Sequence, residues 1–190
     1  MKCVNCEAFS FGMICKNCAK ILSEFRLCER KFGEFSVYYF YGYSEIKHLI
    51  HSKHHEYGQF VFKRLANLSF KKFANEFKFS EICLALGLDD TTDNGEYSHT
   101  AILAHALKSE FIKPKFGVIK AKNSVKYSGK TLEFRLKNKR NFEILKPVKS
   151  PVILVDDIVT TGCSLNEAKE ICEKNGIEVL FGLVLANAEI

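Results

Sequence analysis

The chain has 190 residues, of which 47% are hydrophobic and 26% charged, and its formal net charge is +6. That balance excludes a disordered chain, and the length suits one domain or one domain carrying a small module. No apolar run approaches the ~20 residues of a membrane span, and the opening Met-Lys-Cys-Val-Asn-Cys holds no apolar signal core, so a cytoplasmic protein without membrane insertion is expected.

The first element is a cysteine framework. Cys3, Cys6, Cys15 and Cys18 read C-x2-C-x8-C-x2-C. Two short pairs can each deliver two thiolates to one tetrahedral ion, and structural zinc prefers such a four-sulfur set. Zinc binding would contribute on the order of 10–16 kcal/mol to folding this stretch. Two disulfides are the alternative, which a reducing compartment disfavours. Cys28 is either a further ligand or an inert helix residue, and residues 1–35 are taken as the module. Cys83 and Cys172 lie in apolar patterns and read as small core residues.

Residues 36–190 form the body. Ser-Val-Tyr-Tyr-Phe-Tyr at 36–41 is aromatic and β-branched and predicts a strand ended by Gly42. Ser44 is placed as the N-cap of a helix. His48, His51 and His55 would share a helix face, but no carboxylate completes a catalytic metal set, so a polar surface helix is the default. A second helix is predicted from Gln59 to about Lys78, with Phe60, Leu65, Leu68 and Phe73 near one face. Residues 82–88 predict a buried strand, 89–97 a loop, 98–109 a helix and 116–120 a strand.

Residues 108–150 carry 13 basic and 3 acidic side chains, whereas 151–190 carry 2 and 7. Such a basic block is an electrostatic footprint for phosphates. A basic mobile loop is expected over about 120–142, with a short helix around Glu133–Asn138. Phe111, Phe116, Tyr127, Phe134 and Phe142 are interleaved with the basic residues, a pattern that suits backbone tracking and base stacking. The candidate contacts are Lys122, Lys126, Tyr127, Arg135, Lys139 and Arg140. The alternative is core aromatics and solvated lysines.

The densest chemistry lies in Val152-Ile-Leu-Val-Asp156-Asp157-Ile-Val159-Thr160-Thr161-Gly162-Cys163-Ser164-Leu-Asn-Glu167. A strand over 152–155 delivers two acids to its carboxyl end, where open α/β sheets bind ligands. Ser164 and Glu167 predict a capping box for a helix over 165–175, followed by a strand over 177–185. A glycine-containing, hydroxyl-rich loop entering a helix N-terminus is an anion site. Adjacent acids accept hydrogen bonds from sugar hydroxyls or hold magnesium through water. Anion site and diol site together describe a phosphorylated ribose. The P-loop and Rossmann fingerprints are absent, and strands alternating with helices predict a parallel α/β sheet.

Val152–Ser164 resembles the 5-phosphoribosyl-1-pyrophosphate (PRPP) motif of type I phosphoribosyltransferases. The order of parts is similar to the ComF family of competence-associated proteins: the four cysteines, an aromatic strand with Tyr41-Gly42, Leu49-Ile50 and Lys53, then the PRPP motif. The resemblance implies a type I phosphoribosyltransferase-like parallel sheet flanked by helices, with an N-terminal zinc module. It implies that Asp156 and Asp157 bind the ribose hydroxyls, that Val159, Thr160, Thr161, Gly162, Cys163 and Ser164 cradle the 5-phosphate, and that magnesium accompanies PRPP. It further implies a role in natural transformation, single-stranded DNA as a partner, and competence-machinery proteins as candidate partners. An active phosphoribosyltransferase acting on a base or amine, without DNA binding, is the second reading. Ala85–Asp90 and Asn94–His99 depart from the family's usual segments, retaining only Gly95 and the following helix. Asp89, Asp90 and Asp93 would there recruit magnesium in place of pyrophosphate-binding amides.

Overall fold

The computed structural model describes residues 1–91, 97–123 and 131–188. Within them the elements run α1 (Lys16–Ser23), β1 (Cys28–Phe32), β2 (Phe35–Gly42), α2 (Tyr43–His51), a 3-10 turn (Ser52–His54), α3 (Gly58–Leu68), α4 (Phe70–Glu76) and β3 (Cys83–Gly87). There follow α5 (His99–Ala106), β4 (Ile112–Pro114), β5 (Ile119–Ala121), α6 (Leu132–Lys137), β6 (Phe142–Ile144), β7 (Val152–Val159), α7 (Cys163–Lys174) and β8 (Val179–Asn187). The main sheet has the order β1-β2-β8-β7-β3-β4. Every pairing in it is parallel except the β1–β2 hairpin.

β7 reads as a continuous apolar run because both faces of the sheet are covered. Ile153 and Val155 face a core built with α2, α3, α4 and α5, whereas Val152, Leu154 and Val159 face a second core with α7. All five are buried to within about 1%, each contributing roughly 1.5–3 kcal/mol by transfer from water. The cysteine module joins the first core: Cys3, Ile14, Cys18, Ala19 and Leu22 pack in the same cluster as Phe40 and Tyr41, and the Tyr41 hydroxyl donates to the Leu22 carbonyl at 2.6 Å. β5 and β6 form a separate antiparallel pair, bridged to the main sheet at Leu88–Ile119.

Several local expectations are corrected. β1 begins at Cys28, so that residue lies in a strand and not a helix. α2 begins at Tyr43, with the Gly42 N–H bonded to the Glu45 carboxylate at 2.7 Å, so Ser44 is inside the helix. The long second helix breaks at Ser69, whose hydroxyl bonds back to the Leu65 carbonyl. Its buried face is Val61, Phe62, Leu65, Phe70 and Ala74, while Phe60 is 52% exposed. The short strands β4 and β6 were not anticipated, since three residues carry too little periodicity to register.

Candidate functional site

β3 and β7 stay in register only to Gly87–Val155, with a last bond from the Leu88 N–H to the Val155 carbonyl. β8 continues along β7 to Val159–Asn187. The strand expected to end at Val155 therefore runs on to Val159, and Asp156 and Asp157 sit within it where the β3 ladder has stopped. The crevice so formed lies at the carboxyl ends of the parallel strands. The N-terminus of α5 and the 3-10 turn after α2 face it. Lys53 Nζ from that turn lies 2.7 Å from Asp157 Oδ2, and His99 Nε2 from α5 lies 3.6 Å from the same oxygen.

Gly58 lets the chain pack closely against the turn that carries Lys53. A Cβ there would fall 2.1 Å from the Ser52 carbonyl and 2.3 Å from the Tyr97 hydroxyl, so only glycine permits this approach. The Tyr97 hydroxyl in turn donates to the Lys53 carbonyl at 3.2 Å.

The two acids are electrostatically unlike. Burial raises Asp156, and the charge of Asp157 raises it further, to about 7. Burial works in the same direction on Asp157, but His99 and Lys53 override it and hold the carboxyl down at about 2. Burial pushes His99 itself toward the neutral form, which leaves Lys53 as the standing cation at Asp157. One nitrogen of His99 and one oxygen from each acid lie within 4.8 Å of one another. Two carboxylate oxygens suit magnesium, which keeps most of its waters and takes few protein ligands.

β7 gives way to Thr160, Thr161 and Gly162, and Gly162 caps α7 in the left-handed region at φ +74°. The Asn166 N–H is bonded to the Gly162 carbonyl at 2.9 Å. The amides of Cys163, Ser164 and Leu165 precede that ladder and have no partner inside the helix. The helix thus opens two residues earlier than expected, and the Ser164–Glu167 capping box does not form. Glu167 instead accepts the backbone N–H groups of Arg140 and Asn141, at 3.1 and 2.6 Å. The left-handed turn at Gly162 aims the amides without needing a side-chain cap.

Two further elements wall this loop. The Phe32 ring lies where a Cβ on Gly162 would sit, at 2.6 Å. Arg30 stacks over the same ring at 4.9 Å and donates to Asn187 Oδ1 at 2.7 Å and to the Ala188 carbonyl at 3.3 Å. On the other side Arg140 pairs with Asp89 at 3.7 Å, and its charge acts on both Asp156 and His99. Asp90 accepts the Gly117 N–H at 2.8 Å. Asp89 and Asp90 thus hold protein groups, and neither belongs to a metal-capable cluster among the described residues.

The structure brings Cys3, Cys6, Cys15 and Cys18 together, with their sulfurs within 4.8 Å of one another. The Cys15 N–H points at Cys3 Sγ (3.2 Å), and the Asn5 amide points at Cys18 Sγ (3.2 Å). Donors aimed at sulfur fit a thiolate set for a metal such as zinc. Cys28 Sγ donates to the Arg26 carbonyl and stands outside the cluster. His48 and His51 are engaged by Asn5 and Tyr43, but α2 ends at His51 and His55 lies in extended backbone after the 3-10 turn, stacked on Tyr57, so the three do not share a helix face.

Of the basic candidates, Lys122 pairs with Glu143 at 3.0 Å, Lys139 is exposed, and Arg140 is drawn into the acid crevice. Arg135 lies on α6. Lys126, Tyr127, Asp93 and Gly95 fall outside the described residues. Phe142 is buried in the second core and is not free to stack, whereas Phe116 is 39% exposed. The sequence marks Lys53 only as the end of the Tyr41-to-Lys53 segment of the resemblance, and it places neither Lys53 nor His99 beside the acids. Their signal was weak, since each lies far along the chain from the acids that it meets.

No family model matches the chain, and no curated protein sequence does. Among solved structures it is similar to adenine phosphoribosyltransferase from Saccharomyces cerevisiae, at 20% identity over 90% of this chain and 88% of that one, with a TM-score of 0.44. It is also similar to orotate phosphoribosyltransferase from Aeropyrum pernix, at 17% identity over 89% and 80%, with a TM-score of 0.41. A third is hypoxanthine phosphoribosyltransferase from Staphylococcus aureus, at 11% identity over 68% and 72%, with a TM-score of 0.40.

Proposed function

We propose that the chain is a ComF-like, cytoplasmic protein of natural transformation that binds Mg-PRPP at Asp156–Ser164 and single-stranded DNA through its basic segment. The observation that carries the PRPP half is the adjacent pair of half-buried Asp156 and buried Asp157 beside an anion cradle. The Gly162 turn and the amides of Cys163, Ser164 and Leu165 supply donors to a 5-phosphate, backed by the helix dipole. The carboxylates accept the ribose hydroxyls. Asp156 and Asp157 would hold magnesium through its waters, and the ion would neutralise pyrophosphate charge. Lys53 would yield or share Asp157 when the diol arrives, and it keeps that acid ionised until then. The four thiolates would hold zinc, a structural role.

The test is titration of Mg-PRPP by calorimetry into wild type and the Asp156→Asn/Asp157→Asn variant. Binding by wild type and none by the folded variant is expected; equal affinity would remove the site assignment. The DNA half is supported by the charge of residues 108–150. Binding of oligo-dT should weaken with salt, with a log–log slope of about −0.7 per contacted phosphate. A flat salt response would remove that half alone.

A further inference from the structure

A cavity of about 670 Å³ opens between α3 and α5, and Tyr97 and Ser98 in its lining adjoin the residues that face the acid crevice. One wall is the polar face of α3, where Gln59, Lys63 and Asn67 stand one turn apart. The other is Ile102 and His105 of α5 together with Phe116. The His105 and Phe116 rings are 16° from parallel, with centroids 6.5 Å apart. That spacing is ordinary for an offset aromatic pair, so the two rings present a shared aromatic wall to the cavity. Phe116 is 39% exposed although most of the loop beside it is buried.

Basic side chains border the cavity among the described residues, and Asp90, which accepts the Gly117 N–H next to Phe116, is an acid close by. Lys63 lines the cavity, Lys146 Nζ donates to the Phe116 carbonyl at 2.7 Å, and Lys115 Nζ holds the Pro147 carbonyl at 2.6 Å. No carboxylate lines the cavity among the described residues. Gln59 and Asn67 each offer a donor and an acceptor. A planar ligand with a mixed donor–acceptor edge and an attached negative charge satisfies all three features. An aliphatic acid would leave the rings without a stacking partner, and an inorganic anion would leave the amides unused.

We propose that this cavity binds a nucleobase carrying a phosphate, stacked on Phe116 and His105, with Lys63 near the charge. The base could belong to a single strand or to a free nucleotide. In the first case the inference rests on the nucleic-acid half of the proposed function.

The chain has no tryptophan, so Phe116→Trp places a single stacking reporter in the slot of the full-length protein. Its fluorescence is read against oligo-dT, an abasic strand of equal length, and thymidine and adenosine monophosphates. Anisotropy of the labelled strand reports binding separately, and circular dichroism reports folding of Phe116→Trp and Phe116→Ala. Quenching by oligo-dT but not by the abasic strand is expected, with about tenfold weaker strand binding in Phe116→Ala. Quenching by monophosphates alone would uphold the base slot, assign it to a free nucleotide, and remove the single-strand reading. Strand binding with unchanged fluorescence and no loss in Phe116→Ala would overturn the slot and leave the strand reading standing. Silence toward every probe would overturn the slot.

Discussion

Burial raises the cost of ionising both acids of the crevice, and the Lys53 ammonium relieves chiefly Asp157. Between pH 4 and 7 the folded protein keeps a proton on Asp156 that the unfolded chain has already lost. The stability from that proton is full at low pH and is lost as pH rises toward about 7. Asp157 acts oppositely: its contribution is present above about pH 4 and is lost as pH falls toward about 2. Asp156→Asn should therefore flatten the decline in stability between pH 5 and pH 8, read by urea denaturation. Ribose hydroxyls need an ionised acceptor, so Mg-PRPP affinity should rise by up to about tenfold per pH unit below 7 and level off above it. Affinity that is constant from pH 6 to 8 would contradict the protonation of Asp156. The acids were legible in the sequence because they are adjacent and follow a buried run. Their unequal ionisation was not, because it depends on Lys53 and His99, brought in from other elements.

Gly162 joins a strand to a helix and meets two demands at once, a left-handed φ of +74° and a ring lying where a side chain would go. Gly162→Ala should cost about 1–3 kcal/mol of stability and abolish Mg-PRPP binding, checked by denaturation and calorimetry. An alanine variant of wild-type stability and affinity would mean that the loop does not need this geometry. The strands that became β3, β7 and β8 were readable because both of their faces are buried and their apolar runs are unbroken. The helix starts were less readable. Ser44 and Ser164 looked like caps from spacing alone, yet the helices open earlier, one at Gly42 and the other at Gly162. Glu167 was free to take a different partner because that partner, the Arg140–Asn141 backbone, is distant in the chain. Spacing rules see only local competition for a hydrogen bond.

At the scale of the molecule, the cysteine module shares a core with the body. Cys3, Cys18 and Leu22 lie in one cluster with Phe40, Ile46 and Leu49. If zinc is bound there, chelation or Cys3→Ser/Cys6→Ser should lower the midpoint of a single unfolding transition, not create a separate early one. Two resolved transitions by calorimetry would show that the module folds by itself. The strand order carries a different consequence, for the newly made chain. β2 is bordered by its own hairpin partner β1 and by β8, with Val37 opposite Gly182. Until β8 has been synthesised, the aromatic run Phe-Ser-Val-Tyr-Tyr-Phe-Tyr presents one unpaired edge, a ready template for aggregation. β1 closes the other edge early with Glu29, Arg30 and Lys31, charges that discourage a neighbouring chain from adding on. A nascent chain stalled before β8 would keep only that one guard, so chaperone dependence should be greatest there.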